Sequence, residues 1–385
     1  MKHTNHRNLF LDHGSTTPLR DSMKSYLTSL LEFYGNPSST HSLGDAPRQL
    51  IARARDQTAD FIHALPEEIC FTPSGSAGAT LAVKGLASDD PLKNEYEIFY
   101  SPTAHMSMVL ACRSCRHHTS LEVNPEGEID LTALDDLLTR HGMLKPLVCV
   151  EAASSETGAI QNVAALGSIV KKHRGILVLD ATGYIPFFQV DMALWREYVD
   201  LLIFSGHKLQ ALKGTGVLWK KKGLTLKPLV YGNQEQGLVG GTENVLGIAS
   251  LGRALEEYDY SSITSRSRDY VYDFLTRTVP DCRLAGPSPS SGRRLPLNLF
   301  LCFPGVEGES LMLLLDTEGI QVSTGSACHS GDRSPSLALK SLGMDEPSVH
   351  SCIRLTFSGS ETQEELDFVC ATVKNCVEKL RKKSR

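Results

Sequence analysis

Along the first two thirds of the chain, short runs of β-branched, leucine and aromatic residues alternate with longer stretches whose apolar positions recur every three or four residues. The runs predict strands over 69–72, 97–100, 120–123, 147–151, 176–180, 200–204 and 216–219. The longer stretches predict helices over 48–63, 79–87, 131–141 and 163–173. Strand–helix alternation of this kind builds a mostly parallel α/β sheet with helices on both faces. Past about residue 244 the pattern changes. A helix is predicted over 244–258, followed by a Pro/Ser/Gly-rich stretch at 287–292, strands over 297–302 and 352–357, and a closing helix over 362–382. The expected organisation is a large domain over 12–250 and a smaller α/β domain over 251–385, to which residues 1–11 also belong.

Composition narrows the function classes. The chain of 385 residues is 41% apolar and 22% charged, ordinary values for a folded protein, which excludes a disordered or fibrous chain. Its net charge of −5 offers no basic face for nucleic acid or an anionic membrane surface. The chain contains no run near the ~20 apolar residues that span a bilayer. Its first residues lack an apolar signal region, so a cytoplasmic location is expected. In that setting most of the ten cysteines are expected as reduced thiols packed like small hydrophobes. Cys112 and Cys115 have the spacing of a metal half-site, but no second pair stands at zinc spacing, and no metal is expected.

In parallel sheets, ligands gather beyond the carboxyl ends of the strands, which makes the residues closing each strand the candidates for binding. The run 201–204 leads straight into Ser205, Gly206, His207 and Lys208. Alone, Lys208 reads as a surface lysine; desolvated at a strand end, it can form a Schiff base with an aldehyde cofactor. Asp180 closes the strand 176–180, where it can cap a helix or pair with the ring nitrogen of pyridoxal phosphate. Gly75 and Ser76 lie in a Gly/Ser turn before a helix, a setting that suits a phosphate. His105 follows another strand end and can stack on a flat ring or be structural. Cys328 lies in a small, polar, glycine-rich stretch beside His329, which makes it a candidate thiolate nucleophile.

Leu11-Asp-His-Gly-Ser-Thr-Thr-Pro18, Gly35-Asn-Pro-Ser-Ser39, Ser205-Gly-His-Lys208, Gly241-Thr-Glu-Asn244, Ser326-Ala-Cys328 and Ile353-Arg-Leu355 stand in the order found in cysteine desulfurases. The chain resembles that family, pyridoxal-phosphate enzymes of the class V aminotransferase fold (fold type I), from about Leu11 to Asp367. The resemblance implies that Lys208 binds the cofactor aldehyde and removes the substrate proton, and that Asp180 partners the ring nitrogen. It makes His105 the ring-stacking and proton-transfer residue. Ser76, Ser205 and His207 fall on the phosphate side, and Thr242 is the phosphate ligand supplied by the second subunit of a homodimer. Arg354 would clamp the substrate carboxylate, Asn36 would lie on the substrate side, and Cys328, on its loop in the small domain, would accept sulfur from L-cysteine. An acceptor protein or thiol, such as an iron–sulfur scaffold, would then collect it.

Four positions depart from the family pattern. Ser155 stands where an asparagine contacts the cofactor's phenolic oxygen, Gly183 replaces a glutamine, Ala77 a glutamate and Val239 an arginine. These changes leave open a selenocysteine lyase or another C–S lyase of this fold, and also a degenerate homologue kept as a scaffold.

Overall fold

The computed structural model describes residues 8–87, 94–140, 144–324 and 335–383. Eight strands precede residue 221: β1 (Leu9–Phe10), β2 (Ile69–Thr72), β3 (Tyr96–Tyr100), β4 (His118–Ser120), β5 (Lys145–Glu151), β6 (Ile176–Asp180), β7 (Leu201–Ser205) and β8 (Gly216–Lys220). All but β1 form one seven-stranded sheet in the order β2-β8-β7-β6-β5-β3-β4. Only β8 runs against its neighbours, so the sheet is mostly parallel, as the alternation of elements implies. This is the pyridoxal-phosphate fold type I architecture.

The central strands are apolar on both faces because helices cover both. Val148, Val150, Leu177, Leu179, Leu202 and Phe204 point into one core. Leu147, Cys149, Val178, Leu201 and Ile203 point into the other, under the helices Gly75–Leu86 and Met106–Arg113. The alternation continues to the strand ends, where Glu151, Asp180 and Ser205 stand on this second face.

A four-stranded sheet, β12 (Ser323–Thr324), β13 (Cys352–Thr356), β10 (Asn298–Cys302) and β9 (Arg283–Leu284), carries the rest of the chain. β1 pairs separately with β11 (Ile320–Gln321). The helices Arg266–Thr278, Gly308–Thr317 and Gln363–Lys383 pack against this region through a core of their own. No helix among the described residues is long and apolar enough to cross a membrane.

Two expectations require correction, and one cysteine pair departs from the reduced state expected of most. The strand expected at 120–123 is displaced to His118–Ser120, because Asn124 closes a tight turn that folds Val123 back onto Ile129. The helix expected from residue 48 begins at Ser42, six residues earlier and across Pro47. Pro47 leaves the carbonyl of Leu43 without its helical donor. That carbonyl instead faces Gly35 so closely that a Cβ there would lie 1.9 Å from its oxygen. Finally, Cys302 and Cys352 face each other across the β10–β13 register and are joined in a disulfide. The remaining described cysteines are free, and all but Cys282 are buried.

The Gly35 contact yields a prediction. Gly35→Ala is expected to destabilise the protein by about 1–3 kcal/mol, because backbone on both sides of the contact must move. Urea unfolding measures it, and an unchanged midpoint would refute the contact.

Candidate active site

The strand ends β5, β6 and β7 set the site. Lys208 follows β7 in a single 3₁₀ turn, Gly206–Lys208, pinned by the bond from the Gly206 N–H to the Thr215 carbonyl (2.9 Å). The N-terminal segment clamps this turn from outside. Thr17 donates its hydroxyl to the His207 carbonyl at 2.7 Å, and the Gln210 N–H donates back to the same hydroxyl at 3.0 Å. Lys208 and the glycines Gly14 and Gly183 line a cleft with Ser155, Thr182 and Asn298.

The electrostatics of Lys208 follow from its neighbours. Burial and the Arg354 guanidinium bring its pKa down to about 8, against the pull of Asp180 and Asp12. A lysine this close to neutrality offers a substantial fraction of free amine at physiological pH. His207 is pushed down to about 4 by burial and by the positive charges of Lys208 and Lys213, so it is neutral.

Asp180 is buried at 7% exposure, and one carboxylate oxygen accepts the Thr182 N–H at 2.9 Å. The helix Gly75–Leu86 starts next to Ser205: a Cβ at Gly75 would lie 3.3 Å from the Ser205 Cβ and 3.4 Å from the Thr182 hydroxyl. The first N–H groups of that helix have no helical acceptor. Ser76 is exposed at this end, while Ser74 caps the Ala77 N–H at 3.1 Å. His105 caps the next helix, its Nδ1 accepting the Ser107 N–H at 3.2 Å. That bond leaves Nε2 to carry the proton of the neutral ring.

Arg354, on β13, reaches the cleft from the smaller sheet. Its Nη2 donates to Asp12 and to the Ser15 hydroxyl, both at 2.8 Å, and Nη1 donates to the Ser155 carbonyl at 3.2 Å. Its Nε is buried with no hydrogen-bond partner among the described residues. Asn36 and Thr242 lie on the exposed surface, where the Asn36 amide donates to the Thr242 hydroxyl at 3.4 Å. Cys328 lies outside the described residues.

The aminotransferase class-V family matches residues 9–369 of this chain. The chain belongs to that family.

Among its relatives, the cysteine desulfurase IscS of Dictyoglomus turgidum is 34% identical over 97% of this chain and 96% of its own length. A cysteine desulfurase of Nostoc sp. is 32% identical over 97% of this chain and 94% of its own. Among solved structures, a NifS-like protein from Rickettsia africae superposes with a TM-score of 0.86 at 26% identity, covering 97% of this chain and 100% of that one. Class V aminotransferases of this kind are pyridoxal-phosphate enzymes.

Within this class V site, the departures from the family pattern are local. A Cβ at Gly183 would lie 2.6 Å from the Ala153 carbonyl oxygen, so the end of the β5 segment fills the room a side chain would need. Ser155, on that segment, gives its carbonyl to Arg354 and Asn298. Val239 packs with the second core.

Residue reading alone missed three features. Asp12 and Ser15 hold Arg354, and Thr17 clamps the lysine turn, yet 11–18 reads only as a motif without roles. Glu156 accepts the Ser336 hydroxyl at 2.6 Å, a long-range pairing with no local signal. Glu151 is detectable in principle, as an acid closing an apolar strand.

The lowered Lys208 pKa has a stability consequence. Between the folded and unfolded values the native state binds fewer protons, so stability rises with pH in that window and its full cost falls below about pH 8. Lys208→Met is therefore expected to stabilise the cofactor-free protein at pH 7 by about 1–3 kcal/mol, with the gain fading toward pH 10. Denaturant melts at the two pH values test this, and an equal or reversed effect would contradict it.

Proposed function

We propose that the protein is a cysteine desulfurase that converts L-cysteine to L-alanine and takes the sulfur onto Cys328 as a persulfide. The observation that carries the reading is the lysine poised near neutrality between Asp180 and Arg354 at the strand ends of a class V fold. The donor set fits pyridoxal phosphate: an amine for the aldehyde, a buried carboxylate for the ring nitrogen, and free helix N–H groups with the Ser205 hydroxyl for the phosphate. When bound, that cofactor would supply an electron sink for the carbanion at the substrate Cα.

The chain's own residues do the rest. Lys208 would hold the cofactor through its amine, and its Nζ would take the substrate Cα proton. Asp180 would pair with the ring nitrogen, and His105 would stack on the ring and offer Nε2 for proton transfer. Gly75, Ser76, Ser205 and His207 would hold the phosphate, and Ser155 would serve the ring oxygen. Arg354 orients the substrate carboxylate through a guanidinium already squared by Asp12 and Ser15. Asn36 lies on the substrate side. The Cys328 thiolate attacks the substrate sulfur; the S–S bond forms as the C–S bond breaks, and its electron pair stays with the carbon skeleton that is protonated to alanine. A second thiol, on an acceptor protein or a small molecule, then removes the outer sulfur.

A homodimer completes the site, with Thr242 of one subunit serving the phosphate of the other. Phe33, Tyr34, Val230 and Tyr231, in the two segments that carry Asn36 and Thr242, are exposed and apolar, which supports contact with a second copy.

Cys328→Ala is expected to abolish persulfide formation and lower sulfide release from L-cysteine by at least 100-fold, roughly the scale of losing a covalent nucleophile. Mass spectrometry of the intact protein after incubation with substrate reads the persulfide directly. Unchanged sulfide release would overturn the persulfide route.

A further inference from the structure

Glu151 ends the apolar run of β5 and is 3% exposed. It lies directly opposite Asp180 in the parallel register of β5 and β6, on the same face, with strands about 4.8 Å apart. Its Oε1 accepts the Thr103 hydroxyl, while Oε2 is buried with no hydrogen-bond partner among the described residues. Thr103 shares a 2.9 Å hydrogen bond with Ser101, and its carbonyl accepts the Ser154 hydroxyl at 3.3 Å. The turn they form runs directly on to His105. An amide or an apolar residue would fill this place without titrating; a carboxyl does not.

We infer that Glu151 is a positioning residue, a neutral acid set side by side with Asp180, whose loss of a proton adds a second negative charge behind the ring-nitrogen partner. The inference rests on the cofactor site proposed above. With Oε1 taken by the Thr103 donor, the proton of the neutral acid sits on Oε2, and on ionisation it leaves to solvent. Burial, with a smaller push from Asp180, outweighs the Thr103, backbone and Ser101 hydrogen-bond donors and raises the Glu151 pKa to about 7, so both forms are populated near neutral pH. Asp180 is the charged group acting on it from a neighbouring strand. On the same face Cys149 is held neutral by its contact with Cys112 and by burial, and Arg113 is bonded to Tyr100 at 2.8 Å. The ionised pair favours positive charge on both the ring nitrogen and the lysine-bound group, whereas the half-protonated pair favours it less.

The test compares wild type with Glu151→Gln, isosteric with the neutral acid, and Glu151→Leu, which also loses the Thr103 hydrogen bond. Loaded with pyridoxal phosphate, wild type is expected to show a step in visible absorbance near pH 7, where Glu151 titrates, besides the step of the lysine-bound group. Both variants should lose that step, and their remaining step should move down by roughly one pH unit, tenfold in proton affinity. Without cofactor, the folding constant of wild type should fall between pH 5 and pH 8, on the order of a hundredfold more than that of Glu151→Gln, because the native state binds the extra proton in that window. Superimposable titrations of wild type and Glu151→Gln, with equal pH dependence of folding, would overturn the inference and leave the site reading standing. A wild-type protein that takes up no cofactor and shows no visible band would overturn both.

Discussion

A lysine amine can be kept partly uncharged near neutral pH only if burial and a neighbouring cation outweigh the carboxylates around it, and the site is organised around that balance. Burial and Arg354 weaken the hold of Lys208 on its proton, while Asp180 and Asp12 strengthen it. Each of those groups arrives on a different element: Arg354 on β13, Asp180 on β6, Asp12 in the segment after β1. Moving any one of them changes the proton affinity of the amine. The packing that fixes their positions is therefore part of the chemistry.

That packing crosses from one sheet to the other. Arg294, buried and with its pKa lowered to about 9 by burial and by Arg268, spends its donors on the carbonyls of Ala285, Pro287 and Asn298. Asn298 in turn donates to the carbonyls of Ser155 and Glu156 at 3.2 Å. Arg354 adds its own bond to the Ser155 carbonyl. The short segment after β5 is thus held from the smaller sheet by backbone acceptors, which do not depend on the side chain at 155. This arrangement tolerates serine where the family has asparagine, and glycine at 183 lets the segment approach.

The central strands were legible because both their faces are buried, so they read as continuous apolar runs bounded by polar ends. Lys208 and Asp180 were legible for the same reason, as polar residues closing such runs. Edges were less so: β4 pairs with a single neighbour, and the turn at Asn124 decides where it stops. Pro47 misled the start of its helix because a proline reads as a break, while the helix runs through it and the freed Leu43 carbonyl packs against Gly35, eight residues back in sequence. Pairings such as Arg354 with Asp12, 342 residues apart, leave no local trace; only the tertiary fold joins them.

The central claim is that these residues desulfurate L-cysteine. The most direct measurement is product stoichiometry: purified protein with pyridoxal phosphate, L-cysteine and excess reducing thiol, with alanine and sulfide quantified together. The account predicts equal amounts of the two, accumulating over many turnovers. Cofactor visibly bound with neither product formed would contradict it, and so would sulfide released with pyruvate in place of alanine.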